Sequence, residues 1–372
     1  PSEMFRSHRI ANQIYKLHHA ETNFSYQLFN TTHGYWAEQR HAVISWFNEN
    51  LIQKKAPQSS NYAPLPTLNQ STLQVFDQGM RPQEVLSTQA YCQQTAADLM
   101  SKFGPKKINR DRQLLQLQKH LQIDFATPPK YRNTKTSINE TWDRYDIKLP
   151  NGTELLALIA NPSKAKKFKL IFTTDLPKKQ LNDTVRKYRD QGFAVVLSDL
   201  TGLGNNSSSV GRNFDNGLPK LHTLSRSQHW LGRSMMGIWT DQIAHLASFI
   251  KQNFNPQNIE IHAEKELGVA SILAATLNEQ INHVETYETP ISYLVRQAKL
   301  DSFYSQAIHI PSIINWGDLP LAAALAPADI SMHSLRDIAG DSLSQSDITD
   351  AQEKIASLKR ILKSKSKIKL LH

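Results

Sequence analysis

Apolar and polar residues alternate with a period of two across residues 258–263, which read Asn-Ile-Glu-Ile-His-Ala and predict a short, half-buried strand. A tight turn at 264–268 follows, and then an Ala-rich run of good helix formers to Leu277. The same two-residue period marks 142–149 and 154–160, and Pro150-Asn151-Gly152 between them predicts a hairpin. Further strands are predicted at 168–173, 194–199, 283–287, 329–333 and 367–371, with helices at 181–191, 235–252 and 346–362. Residues 200–230 read as a long polar loop. Strands alternating with helices predict a mostly parallel sheet covered on both faces, an α/β doubly wound fold.

The first part of the chain has another pattern. Ile10, Ile14 and Leu17 fall at helical spacing within 5–17, and 23–30 alternates as a strand around Phe24, Tyr26 and Leu28. A loop carrying His33 leads to a helix at 36–51, expected to bury Val43, Ile44, Phe47 and Leu51. Pro57, Pro64 and Pro66 make 54–70 a linker, and two helices at 89–102 and 110–121, separated by Gly104-Pro105, look like a connector. The resulting division is 1–53, 54–138 and 139–372.

Composition narrows the possibilities. The 372 residues allow one large core plus additional elements. A formal net charge of +10 gathers partly at 164–169 and 359–369. Such runs are ordinarily solvated faces, although a basic field also attracts polyanions. No nucleic-acid-binding signature accompanies them, so nucleic acid is not the expected partner. The single cysteine, Cys92, excludes an intrachain disulfide and a thiolate metal site. His18, His19, His222 and His229 lack partners at metal-ligand spacing, so neither metal nor cofactor is expected. No run of about 18 apolar residues predicts a membrane span.

Strand, sharp turn and small-residue helix form the setting in which G-x-S-x-G presents a nucleophile. Here Ala263 stands for the first glycine and Lys265 for the nucleophile. Glu264 and Glu266 on either side favour the charged, non-nucleophilic amine. The elbow is therefore expected to be inactive. Asp337 follows the 329–333 strand where the acid of a triad could lie, or is simply a polar loop residue. His33 lies in a loop between strand and helix, a site that suits a general base, or is simply a surface or turn histidine. Ser234, in Gly232-Arg233-Ser234-Met235-Met236-Gly237, has spacing one residue too long for an elbow and is expected to cap a helix. Asp199 and Gly202 should shape a turn, with a binding role open to the loop that follows. Trp230, Trp239 and Trp316 could stack on sugars or anchor core and loops.

Four segments, in their order and spacing, carry a family resemblance: Thr32-His33-Gly34-Tyr35 with Arg40–Phe47; Ser198-Asp199-Leu200-Thr201-Gly202-Leu203-Gly204; Leu231–Gly237; and Asp318–Pro327. With the elbow, they make the chain resemble acetyl-xylan-esterase-like α/β-hydrolases of bacterial polysaccharide-degrading systems, particularly members with two hydrolase-like halves. The resemblance implies that 1–53 closes an upstream hydrolase half with His33 as its catalytic histidine, and that 139–372 is a degenerate second α/β-hydrolase domain. It implies an acetylated polysaccharide or other ester as the intact parent's substrate, the upstream half as partner, and a periplasmic or secreted location. Departures lie at Lys265, at Thr173-Thr174-Asp175 in place of a Gly-rich oxyanion loop, and in the lack of a histidine helix after Leu371. A non-catalytic scaffold or carbohydrate-binding module is the rival expectation.

Overall fold

The computed structural model describes the chain apart from residues 1, 53–66, 77–79, 103–107, 124–130, 161, 163–164, 175–177, 208–217, 219–220, 295–302 and 372. It divides into two compact units, Pro1–Val85 and Leu86–His372. Most of the linker expected at 54–70 and the Gly104-Pro105 break fall outside the described residues.

In the first unit, the helix Ser2–Leu17 forms as its periodicity predicts. The segment after it does not become a strand. Phe24 and Tyr26 lay their rings on that helix instead: Phe24 stacks on His8 and Tyr15 at 5.0 and 4.7 Å, and Tyr26 meets Phe5 edge-on at 5.6 Å. Alternation puts these side chains on one side of the chain, and a helix rather than a neighbouring strand receives them. A second helix, Ala37–Phe47, continues into a wide turn at Asn48–Ile52. Val43, Ile44, Phe47 and Leu51 were expected to be buried there, yet each is more than 40% exposed. Neither helix of this unit buries any residue. Correct periodicity gives the right element, but burial requires something packed against it.

The second unit holds a nine-stranded sheet: β1 (Arg132–Ser137), β2 (Trp142–Lys148), β3 (Glu154–Ala160), β4 (Lys167–Phe172), β5 (Ala194–Ser198), β6 (Asn258–Glu264), β7 (His283–Tyr287), β8 (Asp329–His333) and β9 (Ile368–Leu371). Their spatial order is β1-β2-β3-β5-β4-β6-β7-β8-β9. The first three are antiparallel and β3 meets β5 antiparallel; from β5 to β9 every pairing is parallel. The predicted hairpin joins β2 to β3, with Gly152 at φ +85° and the Asn151 side chain accepting the Thr153 N–H. The all-polar, exposed β1 carries no alternating apolar signal and was missed in the sequence.

One sheet face supports the main core. Phe168, Leu170, Ile259, Ile261, Val284, Ile330 and Met332 pack there beneath the helices Met235–Phe254, Lys265–Leu277 and Leu319–Leu325. The connector helices, Thr88–Lys102 and Arg110–Leu121, belong to this unit: Leu117 and Leu121 enter the core, and the Trp316 indole donates to the Gln113 carbonyl at 3.0 Å. Ser234 caps Met235–Phe254 as predicted, accepting the Gly237 N–H at 3.0 Å. The expected loop at 200–230 contains a helix, His222–Trp230. The other sheet face carries a small apolar cluster, in which Val185 and Tyr188 of the helix Lys178–Asp190 cover Ala160, Ile171 and Val195.

Candidate functional site

Parallel strands place ligand crevices at their carboxyl ends. Here β6, β7 and β8 end in register, Glu264 opposite Tyr287 and Tyr287 opposite His333. The next residue on each strand is Lys265, Glu288 and Ser334, at φ +50°, +52° and +50°. Left-handed backbone at a non-glycine residue costs roughly 1–2 kcal/mol, so the sharp turn at Lys265 is imposed by its surroundings. Those surroundings are tight. A Cβ on Gly268 would lie 1.9 Å from the Thr289 hydroxyl oxygen, and that hydroxyl donates to the Lys265 carbonyl at 3.1 Å. Glycine at 268 lets the helix after the turn close onto the segment after β7.

The side chains at this edge form one cluster. The half-buried Lys265 places its amine 4.9 Å from the centre of the Phe303 ring, and the Arg336 guanidinium lies 4.3 Å from that same centre. Arg336 donates to the Glu288 carboxylate from Nε at 3.2 Å and to the Gly340 carbonyl from Nη1 at 2.8 Å. The Tyr304 hydroxyl donates to the Glu288 carbonyl at 2.9 Å, and burial pushes its phenol well above the usual range. The two glutamates flanking Lys265 turn elsewhere. Glu264 faces the His262 ring at 3.6 Å, while Glu266, only 3% exposed, accepts the Ser305 N–H at 3.3 Å. The chemistry this arrangement offers is two cations sharing one aromatic ring, with one carboxylate bracing the second.

Asp337 lies just past β8, as expected, but its carboxylate accepts the backbone N–H groups of Ala339 and Asp341, both at 2.9 Å. Its present task is to hold a turn. His33 is exposed in the first unit, in a loop fixed by the Trp36 indole donating to the Thr32 carbonyl at 2.9 Å. Arg336 and Phe303 were not singled out in the sequence, since only the fold brings them to position 265. Asp199 accepts from the backbone and side chain of Asn205, confirming its turn-shaping role. No group of three or more His, Cys, Asp or Glu suited to a metal ion occurs among the described residues, and no helix described is long and apolar enough to cross a membrane.

A second polar cluster lies on the sheet face opposite the main core. Lys169, 2% exposed, meets Glu260 at 2.9 Å and Glu285 at 3.6 Å. The Tyr188 and Tyr287 hydroxyls donate to Glu285 at 2.7 and 2.8 Å, Tyr188 also lies 3.0 Å from His262 Nδ1, and Tyr287 stacks on His333 at 4.7 Å. Burial by itself would raise both carboxyls. For Glu260, His283 and Lys169 outweigh it; for Glu285, Tyr188, Tyr287 and Lys169 do; each acid is held at about 2. Burial and the bond to Glu285 push the Tyr188 phenol far upward.

No family model and no curated protein matches the sequence. Solved structures do match. A Bacteroides fragilis protein assigned as an acetyl xylan esterase superposes with a TM-score of 0.55 at 15% identity, covering 77% of this chain and 82% of its own. The fold is that of an α/β-hydrolase. Acetyl xylan esterase 1 from a Thermoanaerobacterium species gives a TM-score of 0.42 at 16% identity, over 71% of this chain and 86% of that one. The methylesterase BT1017 gives 0.49 at 13% identity, over 77% and 63%. At such identities the likeness to the esterases is one of fold, and the chemistry of this hydrolase-fold unit rests on its own side chains.

Proposed function

We propose that residues 86–372 form a catalytically incomplete α/β-hydrolase domain belonging to a carbohydrate esterase of the acetyl-xylan type. The observation that carries this reading is the lysine at φ +50° on the elbow after β6, its amine resting on Phe303. An elbow of this kind exposes a nucleophilic hydroxyl to the substrate carbonyl, and the N–H of the following residue helps to hold the oxyanion. Here the following residue is Glu266, whose buried carboxylate would oppose negative charge developing beside it. Asp337, the position for an acid, is committed to its own loop. The substrate class is supported by the fold shared with the Bacteroides fragilis protein and by the resemblance carried by the sequence segments.

A second reading, a carbohydrate-binding module serving an upstream esterase half, is favoured by Trp230. Its ring is 75% exposed at the end of the helix His222–Trp230, with the Arg226 guanidinium 5.0 Å away. An exposed indole is a stacking surface for a sugar ring.

The test is hydrolysis of p-nitrophenyl acetate by the whole chain, alongside labelling by a serine-directed phosphonate. The expected result is no turnover above the buffer rate and no labelled serine, with Lys265→Ala unchanged. Turnover that disappears in His33→Ala, together with one labelled serine, would overturn the incomplete-site reading. Quenching of tryptophan fluorescence by acetylated xylan, lost in Trp230→Ala, would favour the binding-module reading.

A further inference from the structure

The basic run at residues 359–369 has no part in the elbow site. It lines a groove of about 800 Å³ between the helix Gln345–Leu362 and β9, the last strand in the sheet order. Ile355, Ile368 and Leu370 form its apolar floor, and Lys359, Arg360, Lys363 and Lys369 contribute its charge. Lys359 is held by the Ser366 carbonyl, whereas Arg360, Lys363 and Lys369 are exposed.

The strand in this groove has an open side. Among the described residues β9 pairs with β8 alone. The Lys367 carbonyl accepts the Ile330 N–H at 2.8 Å, so the backbone groups of residues 367 and 369 turn toward β8. In a ladder the intervening residues present theirs to the opposite side, which leaves the N–H and C=O groups of Ile368 and Leu370 on the free edge.

We propose that this groove binds an extended acidic peptide segment, which adds to β9 as a tenth strand. A strand edge flanked by a helix is suited to strand addition, with backbone hydrogen bonds supplying affinity and pockets for alternate side chains supplying selectivity. The apolar floor accepts one face of the incoming strand. Lys369, on the other face of β9 from Ile368 and Leu370, attracts carboxylates on the incoming strand's opposite face, and Arg360 and Lys363 attract them from the helix. Charge complementarity identifies the partner's sign. The groove lining includes no aromatic residue, so it lacks the stacking surface that a glycan would use; the open backbone edge favours a peptide.

The test measures fluorescence anisotropy of a labelled octapeptide of alternating glutamate and valine, titrated with the full chain. Two further versions are N-methylated on the backbone, one at every valine and the other at every glutamate. The proposal expects the parent peptide to bind, and one methylated version to bind about tenfold or more weakly while the other is spared. It also expects the double variant Lys363→Glu/Lys369→Glu, changed only at exposed side chains, to weaken the parent peptide by about tenfold or more. Equal binding of all three peptides would reveal attraction by charge alone and overturn the proposal. So would tighter binding of polygalacturonate or of a thymidine oligonucleotide. Absence of peptide binding, combined with aggregation of Lys363→Ala/Lys369→Ala, would overturn it too, by showing that the lysines merely guard an open edge.

Discussion

The two faces of β6, β7 and β8 come from the same three strands and solve opposite problems. One presents Ile259, Ile261, Ala263, Val284, Ile330 and Met332, all essentially inaccessible beneath helices. The other presents Glu260, His262, Glu264, His283, Glu285, Tyr287, Ser331 and His333, with side chains that are partly open or lie just below the surface. The apolar face gains stability from area removed from water, without needing particular partners. The polar face holds its buried charges by pairing each with an opposite charge or a hydrogen bond, as Lys169 is paired with Glu260 and Glu285. Strand alternation therefore sets which residues share a face, and the covering elements decide which energy term that face depends on.

Three changes sharpen this contrast. The largest effect is expected on the apolar face: Phe168→Ala should cost about 3–5 kcal/mol in a urea titration, from lost burial and the cavity left behind. On the polar face, Lys169→Ala leaves Glu260 and Glu285 without their shared cation and should cost about 3 kcal/mol. A loss below about 1 kcal/mol would mean that the cluster is solvated rather than paired. The third change is one of pH. Both glutamates sit at about 2 in the folded chain against an ordinary 4.5, so their contribution is complete above pH 4.5 and is lost as pH falls toward 2. The urea midpoint should fall across that window, and fall less in Lys169→Ala; parallel curves would remove Lys169 as a cause.

Much of this architecture is legible in the sequence because it is local. The strand expected at 258–263 is present and runs to Glu264, although its helix begins at Lys265, inside the turn expected at 264–268; the Asn-Gly hairpin and the Ser234 cap follow from chemistry within a few residues. The failures arise where the outcome depends on distant contacts. Phe24 and Tyr26 alternate like strand residues but settle on a helix; Val43 and Phe47 keep helical spacing without being covered. At the site, Lys265 was visible as a replacement, but its neighbours were not. Phe303 and Arg336 reach it only through the loops after β7 and β8, and no spacing rule links residues so far apart in the chain.

The left-handed turns at the strand ends have a consequence for the unfolded chain. Glycine at Lys265 or Glu288 would relieve backbone strain in the folded protein, yet it would also widen the ensemble from which the chain must fold. These opposing effects are of similar size, about 1 kcal/mol each, so backbone economy gives little reason to prefer either residue. What distinguishes the two positions is where their side chains go. Lys265 and Arg336 share the Phe303 ring, and Glu288 holds Arg336 in place. Two left-handed turns of the crevice thus meet in a single ionic and aromatic knot that draws on residues following all three strands.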